Sequence, residues 1–271
     1  MPELPEVETT KRGIAPYVVG KVIRGVEVRE RRLRWPVPRN FSKQLAGAKV
    51  LQLERRAKYL LFETQNGFFM LHLGMSGSLR ICAPEEALRK HDHLVFSLSG
   101  NKQLRFNDPR RFGSALWLGS ATYEHTLLRS LGPEPLDNEI TAEHLFAMSR
   151  KRKVAVKNFI MDNHVVVGVG NIYANEALYL SGIRPRRAAG RVSRGEYVVL
   201  LDNIRKVLDA SIKMGGSTLR DFVGGDGKPG YFQQTLRVYG REAEPCPTCG
   251  NPIKQITVGQ RSSFYCANCQ R

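Results

Sequence analysis

The chain has 271 residues, of which 42% are hydrophobic and 25% are charged, so its composition is that of a folded protein rather than a disordered one. It carries 42 Lys and Arg residues against 25 Asp and Glu residues, a formal net charge of +17. No stretch reaches the roughly 18 uninterrupted apolar residues of a membrane span, and the start of the chain lacks a basic-then-apolar secretory signal. We therefore expect neither a membrane protein nor a secreted one, and we expect a polyanionic partner.

The first part of the chain predicts a leading helix followed by a β-sandwich. Pro5 suits the first turn of a helix whose apolar residues Leu4, Val7 and Ile14 follow helical periodicity. The segment 13–16 is expected to end this helix because it contains Gly and Pro. Short apolar runs at intervals of about 8 to 12 residues come next, which is typical of a sandwich or barrel. These predicted strands are 22–28, 50–53, 59–62, 68–73, 79–82, 94–98 and 114–118.

After about residue 122 the apolar pattern changes to that of helices, and short helices are predicted at 127–131, 145–148 and 154–161. Ser193 and Glu196 form a capping box that opens a longer helix ending at Gly215. Its predicted buried stripe is Tyr197, Leu201, Ile204, Leu208 and Ile212. The glycine-rich stretch that follows is predicted to be either a linker or a functional loop.

Four cysteines form two C-x-x-C pairs, Cys246 with Cys249 and Cys266 with Cys269. This spacing predicts one structural Zn²⁺ in a ribbon, because four protein thiolates leave no open position for a substrate. Disulfides are disfavoured because no secretion signal is present. The segments 252–258 and 263–265 are predicted strands, which puts 259–262 at the tip of the ribbon; Arg261 there either reaches phosphate or is a solvated turn residue.

The predicted fold class is therefore α+β. We divide the chain into an N-terminal β-sandwich domain with its leading helix over 1–120, a helical domain over 121–225, and a C-terminal segment with the zinc ribbon over 226–271.

Pro2 and Glu3 form a candidate catalytic pair. Removal of Met1 would leave Pro2 with a free secondary amine of pKa near about 8. Such an amine can add to a sugar carbon to give a cationic iminium, and Glu3 could act as a general acid. The same two residue types are also ordinary at the start of a helix, so the residues alone leave both interpretations open.

Together with motifs farther along, this opening resembles the formamidopyrimidine-DNA glycosylase family, in the branch that acts on oxidised purines rather than the endonuclease VIII branch. The resemblance covers the whole chain and starts with the Pro-Glu-Leu-Pro-Glu opening at 2–6. The further matching motifs lie at 55–59, 72–77, 90–93, 108–113, 161–163, 167–174 and 226–231, followed by the cysteine ribbon.

The resemblance implies a bifunctional glycosylase and abasic-site lyase that excises 8-oxoguanine and formamidopyrimidines from duplex DNA. Pro2 would attack C1′ of the damaged nucleotide, Glu3 would protonate the sugar ring oxygen, and the resulting Schiff base would undergo β- and δ-elimination. Lys58 and Arg261 would assist at the neighbouring phosphates. The resemblance implies no catalytic metal or organic cofactor, and a monomer acting at the nucleoid in the bacterial cytoplasm.

The resemblance also implies a group of three residues that stabilises the damaged nucleotide outside the duplex. Met75 and Phe112 would wedge into the base stack, and Arg110 would pair with the orphaned cytosine. On the residues alone, Met75 and Phe112 are equally consistent with gap filling in a core.

The remaining implied contacts fall into two groups. The implied contacts to the DNA backbone are His91, Lys151 and Asn171, the last in a helix-two-turn-helix. Arg150 or Arg152 could substitute for Lys151. The implied lesion pocket contains Glu6, and also Ser217 and Tyr231 in the glycine-rich stretch.

A non-catalytic protein that binds nucleic acid explains the basic charge and the zinc ribbon equally well. Only the Pro2-Glu3 terminus separates the two hypotheses, because it is necessary to a Schiff-base lyase and useless to a binding module.

Overall fold

The computed structural model describes residues 2–120, 122–216 and 235–271. The chain divides into two compact units. The first comprises Met1–Arg129 and Met214–Gln233, and the second comprises Ser130–Lys213 and Gln234–Arg271. Helices and strands both contribute, which confirms the α+β class; the three-part division of the chain stays a prediction. No helix among the described residues is both long and apolar enough to cross a membrane.

The first unit is a β-sandwich with a leading helix. Two antiparallel sheets, in the strand orders β1-β6-β7-β5 and β2-β3-β4-β8, enclose one apolar core in which the rings of Phe62 and Phe69 stack at 4.4 Å. The elements are α1 (Leu4–Val18), β1 (Ile23–Val28), α2 (Phe41–Leu45), β2 (Val50–Arg56), β3 (Tyr59–Thr64), β4 (Gly67–His72), β5 (Ser78–Cys82), β6 (Asp92–Leu98), β7 (Lys102–Asn107) and β8 (Ser114–Gly119).

Two features of this unit differ from the sequence prediction. Helix α1 does not end at 13–16 but continues through Pro16 to Val18, because Ile14 and Val18 are buried in the core and that burial outweighs the hydrogen bond lost at Pro16. Strand β7 was not predicted, because it is rich in polar residues. One of these, Arg105, is 1% exposed and donates to backbone carbonyls of the loop after β5.

The second unit combines helices with a two-stranded ribbon. Its elements are α3 (Ala142–Ser149), α4 (Val156–Ile160), α5 (Asn171–Leu180), α6 (Arg194–Lys213), β9 (Lys254–Val258) and β10 (Arg261–Tyr265). The capping box of α6 is confirmed: the Ser193 N–H donates to Glu196 Oε2 at 2.8 Å, and the Glu196 N–H donates to Ser193 Oγ at 3.3 Å. All five residues of the predicted stripe on α6 are buried.

The predicted helix at 127–131 is wrong. The segment forms consecutive turns, in which the Leu128 and Arg129 N–H groups both donate to the His125 carbonyl. Gly132 and Pro133 follow at once, so the run is too short to propagate as a helix.

Candidate functional site

The start of α1 holds two buried carboxyl groups next to Pro2. Pro2 is buried, Glu3 and Glu6 are each 2% exposed, and the Glu3 N–H donates to Glu6 Oε2 at 2.8 Å. The N-terminal end of a helix carries a partial positive charge, which disfavours a proton on an amine placed there. Glu3 and Glu6 also form the capping box of α1, so the fold places two buried carboxyl groups beside Pro2.

The chain at Gly216 closely approaches Glu6. Gly216 has a φ of +87°, and a Cβ added there would lie 3.3 Å from Glu6 Oε1. The glycine-rich stretch therefore begins against Glu6, which the sequence analysis assigned to the lesion pocket. The other two predicted pocket residues, Ser217 and Tyr231, lie outside the described residues.

A buried ion pair connects α1 to the turn that carries Lys58. Arg55 donates from Nε to Glu8 Oε2 at 3.0 Å and from Nη1 to the Ala57 carbonyl at 3.0 Å. Ala57 has a left-handed φ of +54°, and Lys58 follows it in the tight turn between β2 and β3. Burial raises the pKa of Glu8, but hydrogen bonds and charges from Arg12, Lys11 and Arg55 outweigh burial and lower that pKa overall. Glu8 and Arg55 thus hold the Lys58 turn against the helix that begins beside Pro2.

The loops that carry Met75, Arg110 and Phe112 are joined through one fully buried carboxylate. Asp108 Oδ1 accepts a hydrogen bond from Ser76 Oγ at 2.7 Å, and Asp108 Oδ2 accepts one from the Gly113 N–H at 2.8 Å. Ser76 Oγ in turn accepts from the Arg110 N–H at 3.2 Å. Asp108 therefore fixes the two loops against each other.

Glycine allows the same two loops to touch backbone to backbone. Gly74 has a φ of +64°, and a Cβ added there would lie 2.3 Å from the Phe112 carbonyl carbon, so a larger residue is excluded. Phe112 is 43% exposed, and the Arg110 guanidinium lies 5.2 Å from its ring centroid. Phe112 therefore does not fill a core; it forms an exposed aromatic and cationic tip with Arg110, next to the half-buried Met75.

His72 supports the Met75 loop as a neutral imidazole. The Gly74 N–H donates to His72 Nδ1 at 3.1 Å, which requires that nitrogen to be unprotonated. Burial, with smaller contributions from the charges of Lys58 and Arg34, lowers the pKa of His72 to about 4.

We expect the free energy of unfolding to fall as the pH drops from 6.5 toward 4. A histidine of pKa near 6.5 in the unfolded chain and about 4 in the folded one binds more protons when unfolded, so the loss approaches about 3 kcal/mol at most. Denaturant unfolding of His72→Asn, whose side-chain oxygen can replace Nδ1, should show a weaker pH dependence over this range. His164→Asn, at an exposed histidine, is the control; equal pH dependence in wild type and His72→Asn would contradict the assignment.

His91 lines an open cavity of about 380 Å³ that is rich in cations. Arg29, Lys90 and Arg111 line the same cavity. Its two acids are both paired, Asp92 with Arg80 at 2.9 Å, and Glu30 with Arg32 at 2.6 Å and with Arg111 at 3.6 Å. The His91 carbonyl accepts from the Asp108 N–H at 3.0 Å, which connects this cavity to the Met75 and Arg110 loops. The arrangement suits a bound phosphate group.

In the second unit, the ribbon tip lies beside the start of α5. The tip is a two-residue turn, Gly259-Gln260, with φ values of +56° and +61°, so Arg261 is not a tip residue as predicted but the first residue of β10, paired with Val258. Two-residue turns with positive φ at both positions are favoured in β-hairpins because their backbone twist matches the twist of the two strands they connect. The next carbonyl, that of Ser262, accepts from Lys157 Nζ at 2.9 Å and from Asn171 Nδ2 at 3.2 Å. Asn171 is therefore bonded to the residue that follows Arg261.

The run 150–153 presents Lys151 rather than Arg150 to solvent. Arg150 donates to the carbonyls of Phe146 and Val192, and its guanidinium lies 3.8 Å from the Phe146 ring centroid. Lys151 is exposed, with a φ of +60°, in the turn that follows α3. Arg152 is exposed as well. Of the two residues that could replace Lys151 as the DNA contact, Arg150 and Arg152, only Arg152 therefore remains.

The four cysteines fit a tetrahedral zinc site. All four sulfur atoms lie within 4.8 Å of one another, with Cys246 and Cys269 at 3.9 Å and Cys249 and Cys266 at 3.5 Å. Four thiolates at the usual Zn–S length of about 2.3 Å stand roughly 3.8 Å apart, so the arrangement accepts the ion with little movement. The ion would stabilise the ribbon, and with four protein ligands it would have no position for a substrate.

Family models match three parts of the chain: the formamidopyrimidine-DNA glycosylase N-terminal domain at 1–115, the H2TH domain of the same family at 131–223, and a zinc finger found in FPG and IleRS at 243–271. Formamidopyrimidine-DNA glycosylase of Hahella chejuensis is 58% identical over 271 residues, and that of Thioalkalivibrio sulfidiphilus is 56% identical; both matches cover 100% of each chain.

Two solved structures are similar to the whole fold. The Fpg protein of Thermus thermophilus has a TM-score of 0.89 at 37% identity, over 99% of this chain and 98% of that one. A complex of Lactococcus lactis Fpg with DNA containing an abasic site has a TM-score of 0.92 at 32% identity, over 100% of both chains.

A β-sandwich, a helix-two-turn-helix unit and a four-cysteine zinc finger define a class of DNA glycosylases. The chain belongs to the formamidopyrimidine-DNA glycosylase family.

Proposed function

We propose that this enzyme is a bifunctional glycosylase and abasic-site lyase that removes oxidised purines, 8-oxoguanine and formamidopyrimidines, from duplex DNA. The observation that carries the proposal is the placement of Pro2 immediately before two buried carboxyl groups, Glu3 and Glu6, at the start of α1. Glu3 and Glu6 also cap α1, as acids at a helix start commonly do, so the feature that favours catalysis over binding alone is Pro2 directly ahead of them. Fpg of Lactococcus lactis has been solved in complex with DNA containing Fapy-dG and with DNA containing an abasic site, which supports a damaged-DNA substrate.

The proposed reaction uses one nucleophile for two steps. After removal of Met1, the Pro2 nitrogen bonds to C1′, the bond from C1′ to the damaged base breaks, and the base leaves with a proton. Glu3 protonates the ring oxygen, which opens the sugar and leaves an iminium between Pro2 and C1′. The iminium acidifies C2′–H; loss of that proton expels the 3′ phosphate, and a second elimination expels the 5′ phosphate. Water then releases Pro2.

The other predicted site residues act on the DNA rather than on the reacting bonds. Lys58 is held near α1 by the Glu8–Arg55 pair and serves as a base or phosphate contact in the eliminations. Arg261 contacts phosphate, as do Asn171, which donates to the carbonyl of the neighbouring Ser262, and His91 and Lys151 at their own positions. Met75, Arg110 and Phe112 fill the gap in the duplex, and Glu6 borders the pocket for the extruded base together with Ser217 and Tyr231.

The chemistry requires no catalytic metal or organic cofactor, because an amine and carboxyl groups supply every step above. We propose one structural zinc per chain and a monomeric enzyme. The relatives are bacterial, so we place the activity at the nucleoid in the bacterial cytoplasm.

Product analysis tests the proposal. A duplex with one 8-oxoguanine opposite cytosine, labelled at the 5′ end, should be cut to a one-nucleotide gap with phosphate on both sides, and the free base should appear in equal amount. A duplex with guanine at that position is the control. Release of base without strand cleavage would refute the lyase step, and binding without either product would favour the non-catalytic alternative.

The affinity for duplex DNA should fall steeply with salt, because the net charge of +17 implies several neutralised phosphates, each contributing about −0.9 to the slope of log K against log salt. Lys151→Ala should make the slope shallower by about one phosphate. Lys206→Ala removes a lysine on α6 that is already paired with Asp202, so it is the matched control. Fluorescence anisotropy between low and moderate salt gives the slopes; a slope for Lys151→Ala equal to that of the control would remove Lys151 from the interface.

A further inference from the structure

The last turn of α5 places a phenol against the zinc centre. Tyr179 is 5% exposed, and its hydroxyl lies 3.2 Å from Cys246 Sγ and 2.7 Å from Thr248 Oγ1. Its ring packs in the small apolar cluster that also contains Val238, Ile253 and Phe264. A tyrosine needs no hydroxyl for that packing, so the polar contacts require a separate explanation.

The chemistry of a zinc-bound thiolate fixes the direction of these two hydrogen bonds. A zinc-bound cysteine carries no proton, so Cys246 Sγ can only accept, and the Tyr179 hydroxyl must donate to it. The phenol has a single proton, so its oxygen accepts from the Thr248 hydroxyl. The result is a relay from Thr248 to Tyr179 to the Cys246 thiolate.

We propose that Tyr179, supported by Thr248, is a positioning residue of the zinc centre that retains the metal. A hydrogen bond to a zinc-bound thiolate withdraws charge from the sulfur and orients its lone pairs toward the metal. Groups of this kind around metal ligands typically change metal affinity by about 10- to 100-fold. The inference concerns zinc retention alone and does not depend on the proposed DNA chemistry.

Removing the Tyr179 hydroxyl should change zinc affinity without detaching the ribbon from α5, because other contacts hold the two together. Asn175 Oδ1 accepts from the Phe264 N–H at 2.8 Å, and Glu176 Oε1 accepts from the Val238 and Tyr239 N–H groups, each at 2.9 Å. None of these bonds involves the Tyr179 hydroxyl. Removing that hydroxyl should therefore leave the ribbon attached to α5.

The test compares Tyr179→Phe, Thr248→Val and Tyr239→Phe in the full chain. Tyr239 packs against the same cluster, 5.2 Å from the Phe264 ring, and its hydroxyl bonds to no cysteine among the described residues, so it is the matched control. Zinc affinity is measured by competition with a chromophoric chelator. Tyr179→Phe should lose zinc affinity by about 10- to 100-fold and Thr248→Val by less, while the control stays within about 2-fold of wild type.

A second readout responds to the sulfur itself. In protein loaded with Co²⁺, loss of a hydrogen bond to a thiolate raises the energy of the sulfur electrons, so the sulfur-to-cobalt charge-transfer band should move to longer wavelength in Tyr179→Phe and not in Tyr239→Phe. Thr248 is exposed, so Thr248→Val tests the relay even if Tyr179→Phe fails to fold. Unchanged zinc affinity and an unchanged band in Thr248→Val and in any folded Tyr179→Phe would overturn the proposal. An equal loss of affinity in the Tyr239→Phe control would also overturn it, since that result would point to packing.

Discussion

A variant that keeps its initiator methionine should lose base excision and strand cleavage by at least about 10³-fold, because the lone pair of an acylated Pro2 nitrogen is delocalised into the amide and cannot attack C1′. Insertion of leucine between Met1 and Pro2 produces such a variant, since methionine is removed efficiently only before small residues. The buried Glu3 and Glu6 remain in place at the start of α1, and lesion binding should stay within a few fold of wild type.

Pro2→Gly is the matched control for this experiment. It permits removal of Met1 and leaves a primary amine, which can still form an imine, so it should keep measurable activity. The leucine-insertion variant and Pro2→Gly are compared by single-turnover cutting of an 8-oxoguanine duplex. Full activity in the leucine-insertion variant would show that the nucleophile lies elsewhere in the chain.

Truncating the exposed tip should impair the extrusion of the lesion rather than the chemistry. Met75→Ala or Phe112→Ala removes an apolar group that replaces lost base stacking, so flipping should become less favourable by roughly 1–3 kcal/mol, about 5- to 150-fold in rate. An abasic site has no base to unstack and flips at lower cost, so its cutting should be much less impaired. Arg110→Ala should instead weaken the preference for cytosine opposite the lesion.

The measurement is single-turnover cutting of 8-oxoguanine and abasic duplexes side by side. Phe112 is 43% exposed, with the Arg110 guanidinium over its ring, so Phe112→Ala should fold normally. Leu71→Ala removes a fully buried core residue and provides the comparison for a general loss of stability. Equal losses on both substrates would mean that Met75 and Phe112 support the fold or the reaction instead of the flip.

The sequence predicted the helices and strands well where a local signal, such as a helix cap or a run of apolar residues, was strong. The capping box of α6 and its apolar stripe are local signals, and the predicted strands of the first unit carry the alternating or continuous apolar residues that a sandwich core requires. Strand β7 was missed because its buried arginine, Arg105, finds its partners in a loop about twenty residues away, which no local pattern reveals. Helix α1 was cut short because burial of Val18 overrides the local effect of Pro16.

The candidate site was predictable as a set of residue types, but not as a geometry. The resemblance supplied Met75, Arg110 and Phe112, whereas the buried carboxylate of Asp108 that joins their loops received no role. An acid directly before Pro109, inside the matching motif at 108–113, is a signal that could have been followed. Lys157 was read only as part of a short helix, and its bond to the Ser262 carbonyl spans 105 residues of chain. Long-range polar contacts of this kind require the fold.

Borohydride trapping on a duplex with one 8-oxoguanine, followed by mass mapping of the linked residue, tests the N-terminal mechanism most directly. Reduction converts the iminium into a stable amine, so the adduct should map to Pro2 in protein that has lost Met1, at near one DNA per chain. Trapping should be absent when Met1 is retained. An adduct of equal yield on an internal lysine such as Lys58, or trapping that survives retention of Met1, would contradict the proposal that Pro2 is the nucleophile.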